Sequence, residues 1–225
     1  MKIENCKLRI IWKGILDILL PKKCLGCGRE GQYICKDCFI FLSEVNPVNS
    51  TCEVLATTSQ VNGLISVWEY EGLIEKLIQK IKFDGCYDII NELADKAFEK
   101  ITLDLPRDTV ITFVPMYKKK EKRRGFNQAE LIAKKVGERI NRPVVKLLEK
   151  VKVNRSQVGL NPQERLENVK DVFTAVKMTE AKSLSVLIVD DVYTTGATMG
   201  ECMKVLRKAG VKNIYGFTLA RKLKI

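Results

Sequence analysis

From about residue 64 onward, apolar positions follow two rhythms that take turns along the chain. The run Leu64-Ile65-Ser66-Val67-Trp68-Glu69-Tyr70 reads as a strand that meets Gly72. Leu73, Ile74, Leu77, Ile78 and Ile81 then recur at helical spacing, and a second helical stripe passes through Ile89, Leu93, Ala97 and Phe98. Residues 110–114 form a short buried strand closed by Pro115. A basic loop runs to Arg124, and a long helix opens after Gly125 and Phe126. Residues 144–148 make another strand, and residues 150–172 are polar and weakly periodic, an excursion from the core. A Val/Ile-rich strand begins at Val186, a helix spans 199–208 with Gly210 as its C-cap, and a last strand covers 213–219. Strands alternating with helices predict an α/β domain, a parallel sheet with helices on both faces. In such sheets ligands bind beyond the C-terminal ends of the strands.

The first sixty residues break this rhythm. Residues 8–20 are apolar on most sides, with Arg9, Lys13 and Asp17 four apart on a polar face, and Pro21 ends the pattern. This predicts an amphipathic N-terminal helix over 1–20, too short and too charged to cross a bilayer. Two readings stay open: it packs on the neighbouring module or the core, or it makes peripheral contact with a membrane beside Lys22 and Lys23. Residues 44–60, rich in Asn, Ser and Thr and carrying Pro47, read as a linker to the domain over 61–225.

Between these lies a cysteine module, residues 21–43. Cys24-Leu25-Gly26-Cys27 and Cys35-Lys36-Asp37-Cys38 are two Cys-x2-Cys knuckles. Each knuckle can offer two thiolates to one tetrahedral ion, so Cys24, Cys27, Cys35 and Cys38 predict a structural Zn²⁺ site with no open position. So short a module builds too small a core to stand alone, and metal binding would fold it. Disulfides and an iron–sulfur cluster are the alternatives. No cleavable-looking signal precedes the module, so a cytoplasmic, reducing setting is expected, and it favours metal. Cys6, Cys52, Cys86 and Cys202 stand alone and read as small buried apolar residues.

The densest chemical information lies at Val186-Leu187-Ile188-Val189-Asp190-Asp191-Val192-Tyr193-Thr194-Thr195-Gly196-Ala197-Thr198. A buried strand ends in adjacent carboxylates, and a Thr/Gly turn leads into a helix. Gly196 permits positive φ and lets backbone N–H groups approach an oxygen-rich ligand, and Thr194, Thr195 and Thr198 add hydroxyls. The helix points its positive end at the same place. A phosphate cradle beside two carboxylates describes a sugar-phosphate site. The plainer alternative is a strand-to-helix turn capped by Asp and Thr.

The pattern resembles the phosphoribosyl-pyrophosphate (PRPP) loop of the type I phosphoribosyltransferases. That resemblance implies that Asp190 and Asp191, the catalytic acids, hold the ribose hydroxyls. It also implies that Thr194, Thr195, Gly196, Ala197 and Thr198 hold the 5-phosphate.

Charge sharpens the picture. The chain carries a formal net charge of +12, and residues 115–170 alone hold sixteen Lys/Arg against six Glu. So concentrated a surplus predicts an anionic partner, with a solvated basic face as the alternative. No histidine is present, which excludes His acid/base chemistry, His triads and His metal ligands. Transfer from an oxocarbenium-like centre does not require one, since charge stabilisation can do most of the work. Lys118, Arg123 and Arg124 follow the 110–114 strand and are suited to bind a departing pyrophosphate. Asn127 and Gln128 serve equally well as helix caps or as ligand contacts.

Arg124-Gly125-Phe126-Asn127-Gln128-Ala129-Glu130 after a Val-Pro strand, the stretch Arg155-Ser156-Gln157-Val158-Gly159-Leu160 with Arg165, Asn168 and Phe173, the aspartate loop and the cysteine knuckles occur in the order of the ComF family (ComFC/GntX-like). The chain resembles that family from about residue 21 to its end. Its pattern includes a further cysteine pair where Cys52 here stands alone. The resemblance implies a type I phosphoribosyltransferase fold, with residues 150–172 as a flap whose Lys152, Arg155, Gln157 and Arg165 close over pyrophosphate. It implies Mg²⁺ bound largely through PRPP. It also implies a role in natural competence and DNA uptake, with single-stranded DNA and a competence helicase as partners, in the cytoplasm at the inner face of the membrane. The residues leave open an enzyme, a DNA-binding module and a PRPP-sensing regulator without turnover. They mark no acceptor base and no oligomeric state.

Overall fold

The computed structural model describes residues 21–45, 63–152, 171–176 and 185–223. The amphipathic segment expected over 8–20, most of the 44–60 stretch, Cys6, Cys52, and Arg155, Gln157 and Arg165 of the expected flap lie outside the described residues. Two compact units emerge, one ending at Leu42 and the other running from Ser43 to Ile225.

Among its described residues, the first unit contains one short helix, α1 (Lys36–Ile40), whose N-cap Cys35 accepts the Cys38 N–H. A tight turn over 24–29 precedes it, closed by Cys24 N–H to the Arg29 carbonyl and Gly28 N–H to the Cys24 carbonyl, both 2.8 Å.

The second unit runs β1 (Gly63–Glu69), α2 (Gly72–Asp84), α3 (Asp88–Lys100), β2 (Val110–Phe113), α4 (Lys118–Arg124), α5 (Gln128–Ile140), β3 (Leu148–Lys150), β4 (Phe173–Ala175), β5 (Ser185–Tyr193), α6 (Ala197–Lys208) and β6 (Asn213–Arg221). Four strands form a parallel sheet in the order β1-β6-β5-β2. On β5, Val186, Leu187, Ile188 and Val189 are all fully buried, so both faces of this strand are covered. That explains its unbroken apolar sequence. Helix α2 buries Ile74, Leu77, Ile78 and Ile81, and α5 buries Ala129, Ile132, Ala133 and Val136, each at helical spacing.

Three expectations shift. The basic segment is the helix α4 rather than a loop: Lys and Arg are good helix formers, and Gly125, left-handed at φ 87°, ends it with its N–H on the Glu121 carbonyl at 2.7 Å. The strand expected over 144–148 reduces to a parallel bridge between Val144 and Ile111, and β3 starts only at Leu148. Here the Leu147 N–H goes to the buried Thr112 hydroxyl at 3.2 Å, which takes that donor out of the backbone ladder. β3 pairs antiparallel with β4, so this small sheet brackets the polar 153–170 stretch at both ends. Finally, Ser43–Val45 sits against β1, with Val45 N–H to the Val67 carbonyl at 3.1 Å, so the start of the expected linker is docked.

Among the described residues, no helix is long and apolar enough to cross a membrane.

Candidate functional site

β5 carries Asp190 and Asp191 at its C-terminal end, in register with Thr218 and its neighbours on β6. Successive strand residues face opposite sides, and the surroundings of the two acids differ accordingly. Asp191 is buried, and Lys82 of α2 places its Nζ 3.0 Å from Oδ2, with side-chain exposures of 22% and 9%. The ammonium is the ion-pair partner of this buried oxygen. Asp190 Oδ1 accepts the Asp191 N–H at 2.8 Å. Burial, with the adjacent Asp191 charge, pushes the Asp190 carboxyl up to about 7. Cys202 of α6 is fully buried, and burial and the Asp190 charge push its thiol up.

Cations crowd this end of the sheet. Burial works against the Lys82 ammonium, but Asp191 and then Asp190 outweigh it and hold its pKa above the usual lysine value. Lys120 and Arg124 of α4 are both shifted down, by partial burial and by neighbouring cations, while Asp191 pulls the other way. Lys150 of β3 is pushed down by burial and by Lys120, and Asp190 opposes the shift. Such a concentration of positive charge suits an anion.

The turn after β5 supplies the other half. Gly196 is left-handed at φ 78° and caps α6, which begins at Ala197, two residues before the sequence pattern predicts. Thr195 Oγ1 accepts the Ala197 N–H at 3.4 Å, and this contact starts the helix early. Thr194, Thr195, Gly196 and Thr198 are all partly exposed, so the turn is accessible. The first-turn amides of a helix have no acceptors within the helix; they and the dipole suit a phosphate.

Other sequence-predicted residues scatter. Arg124 is half-buried and donates to Gln128 Oε1 at 2.6 Å, while Asn127 caps α5 through Ala129 N–H and donates to the Val114 carbonyl. Arg123 is exposed on α4 and is felt electrostatically by Lys120 and Arg124. Lys118 is exposed and lines a cavity of about 620 Å³, with Phe113, Tyr117, Lys146, Glu149 and the cluster's Lys150. Neither aspartate nor the Thr194–Thr198 turn lines that cavity, so the turn is a candidate by its convergent chemistry rather than by volume. Lys152 is exposed just past β3.

Three cations of the cluster are absent from the sequence-based set: Lys82, Lys120 and Lys150. Lys82 left a trace, since it follows Ile74 and Ile78 at intervals of four and so puts a charge on the apolar stripe of α2.

In the first unit, the Sγ atoms of Cys24, Cys27, Cys35 and Cys38 all lie within 4.8 Å of one another. Cys27 and Cys35 are 3.6 Å apart, well beyond a disulfide bond, and all four are free thiols. The Cys35 N–H points to Cys24 Sγ and the Cys38 N–H to Cys35 Sγ, both at 3.4 Å. Burial opposes ionisation of Cys24, yet backbone donors outweigh it and lower its pKa to about 6. Converging thiols with amide support fit a four-thiolate ion such as Zn²⁺. Of the lone cysteines, Cys202 is buried as expected and Cys86 only half so.

A family model described as "Phosphoribosyl transferase domain" matches residues 86–224. The chain is 32% identical to Competence protein F of Haemophilus influenzae over 205 residues, 88% of this chain and 84% of the relative. It is 28% identical to Competence protein ComFC of Bacillus subtilis, over 94% of this chain and 90% of that protein. It is also 27% identical to the DNA utilization protein YhgH of Salmonella typhimurium, over 89% of each. The β5 turn with its aspartate pair falls inside the matched domain, and the similarity to the competence proteins extends across both units: the chain belongs to the phosphoribosyl transferase domain family and, within it, to the ComF family of competence proteins.

Proposed function

We propose that the second unit binds PRPP and transfers its 5-phosphoribosyl group to a nitrogenous acceptor, or runs that reaction in reverse, within DNA uptake. The observation that carries this reading is the partly exposed turn centred on Gly196, set between the Asp190–Asp191 pair and the N-terminus of α6. In this reading, amides and hydroxyls of Thr194, Thr195, Gly196, Ala197 and Thr198 hold the 5-phosphate. Asp190 and Asp191 accept from the ribose hydroxyls. Lys120, Arg124 and Lys150 face the pyrophosphate, with Lys118, Arg123, Lys152, Arg155, Gln157 and Arg165 forming the wider basic surround.

The chemistry asks for little proton transfer. The bond from the anomeric carbon to the pyrophosphate oxygen breaks, charge develops on the leaving group, and fixed cations stabilise it more as it departs. Mg²⁺ fits here only in company. A lysine 3.0 Å from one carboxylate oxygen serves a bare divalent ion poorly, whereas Mg²⁺ carried on pyrophosphate would meet Asp190 and Asp191 through its waters and neutralise the leaving group. In the first unit, the four cysteines would hold Zn²⁺ as a structural ion.

Calorimetric titration of PRPP with Mg²⁺ tests the reading. Wild type should bind, and the Asp190→Asn/Asp191→Asn variant should lose at least about tenfold, one charged hydrogen bond's worth. Equal affinity would remove the proposed site.

A second reading, single-stranded DNA binding, has its own support. Phe83 and Tyr87, 68% and 56% exposed, flank the turn after α2, and Tyr87 meets the Phe126 ring edge-on at 6.0 Å, two residues from Arg124. Exposed aromatics beside cations suit stacked bases on a tracked phosphate backbone.

A further inference from the structure

Helix α2 places a cation where its packing calls for an apolar side chain. Ile74 and Ile78 are fully buried, and Lys82 continues their line. A half-buried ammonium on such a stripe costs free energy unless an anion answers it. The answering group is Asp191, 3.0 Å away, at the end of β5. Lys82 supplies charge to Oδ2 at 3.0 Å, and a carboxylate with about four lone-pair sites keeps capacity to accept a further donor. A ribose hydroxyl is a donor suited to the lone pairs of the carboxylate that Lys82 leaves unused.

The charged groups around Asp191 give Lys82 a specific task. Asp190 is its sequence neighbour and repels it; Lys120, Arg124 and Lys82 attract it, and Tyr70 lies within electrostatic reach. Lys120 and Arg124 belong to the basic helix, where a bound anion would claim them. Of the three cations, Lys82 is the one in direct contact with the carboxylate.

We propose that Lys82 is a positioning residue for the diol-binding pair, holding Asp191 turned into the site as the acceptor for a ribose hydroxyl. The proposal rests on reading this site as one for a ribose 5-phosphate group. Lys82 acts through Asp191 and needs no contact with the sugar.

The test compares two probes on the full chain: ribose 5-phosphate, which carries the diol, and inorganic phosphate, which does not. Wild type should bind ribose 5-phosphate the more tightly. Lys82→Met should lower ribose 5-phosphate affinity about tenfold or more, the scale of a hydrogen bond to a charged group, and leave phosphate affinity unchanged. Lys82→Arg, which restores a cation, should recover most of the difference. Should Lys82→Met fail to fold, Lys82→Gln, with a neutral polar stem, carries the same comparison. Equal weakening toward both probes would make Lys82 a mere source of long-range attraction and overturn the proposal, as would an unchanged preference. A wild-type protein that binds neither probe would overturn the sugar-phosphate reading itself, a failure distinct from the other two.

Discussion

The phenolic oxygen of Tyr193 occupies the space that a side chain at Gly196 would need: a Cβ built there collides with the Tyr193 hydroxyl. The strand's last residue and the glycine of the turn are thus fitted to each other, and Gly196 also sits at φ 78°, where L residues are strained. Gly196→Ala should cost about 1–3 kcal/mol, from strain and collision together. In a Tyr193→Ala background the same change should cost less, because only the dihedral strain remains. Urea denaturation of the four proteins of this cycle measures the coupling, and equal costs in both backgrounds would show that the two residues act independently.

Asp190 sets a pH signature. Its carboxyl, pushed up to about 7 by burial and the Asp191 charge, binds a proton in the folded protein over a range where the unfolded chain has released it. A raised carboxyl favours folding below its unfolded value, near 3.8, and that contribution is lost as pH rises through about 7. Asp190→Asn removes the penalty of charging this site. The variant should gain stability over wild type progressively between about pH 4 and 7 and hold a constant lead above that. Paired denaturation curves at pH 5 and 8 decide the point, and a lead that does not widen would count against the raised value.

The cysteine module should carry one ion per chain. Four sulfurs within 4.8 Å of one another predict one equivalent of Zn²⁺ released by a thiol reagent and captured by a chromogenic chelator. Replacement by Co²⁺ should give the thiolate charge-transfer and tetrahedral bands of a four-sulfur site. Cys35→Ser should weaken metal binding at least about tenfold, since it removes a thiolate ligand while the serine hydroxyl can still accept the Cys38 N–H. Disulfide formation by the native protein, with no metal bound, would contradict this.

Nucleic-acid binding separates into stacking and charge. Phe83→Ala with Tyr87→Ala should lower single-stranded DNA affinity by about tenfold or more while leaving its salt slope unchanged, since stacking on aromatics contributes about 1–3 kcal/mol per base and releases no counterions. Lys122→Ala with Arg123→Ala, both exposed on α4, should flatten the slope instead. Fluorescence anisotropy across ionic strength reads both.

How far the residues alone reached depends on whether information was local. The β5 turn was legible because a change of period, from a continuous apolar strand to a helix, coincides with Gly196 and its threonines. The cysteine knuckles were legible for the same reason. In sequence the basic segment reads as a loop, since like charges obscure a helix that its Gly125 cap and straight side chains sustain. β3 starts later than its apolar pattern predicts because the Thr112 hydroxyl, 35 residues away, takes the Leu147 N–H. Lys120 and Lys150 join the cluster only through tertiary folding, each bringing a lysine from its own element to the same carboxylates. No local pattern distinguishes them from the other lysines of a basic stretch.

A crystal structure with ribose 5-phosphate bound tests the central claim most directly. The phosphate should sit within hydrogen-bond reach of the amides of Thr195 to Thr198, with the sugar hydroxyls against Asp190 and Asp191. A phosphate lodged instead in the cavity beside Lys118 and Lys146, leaving the Gly196 turn empty, would contradict it.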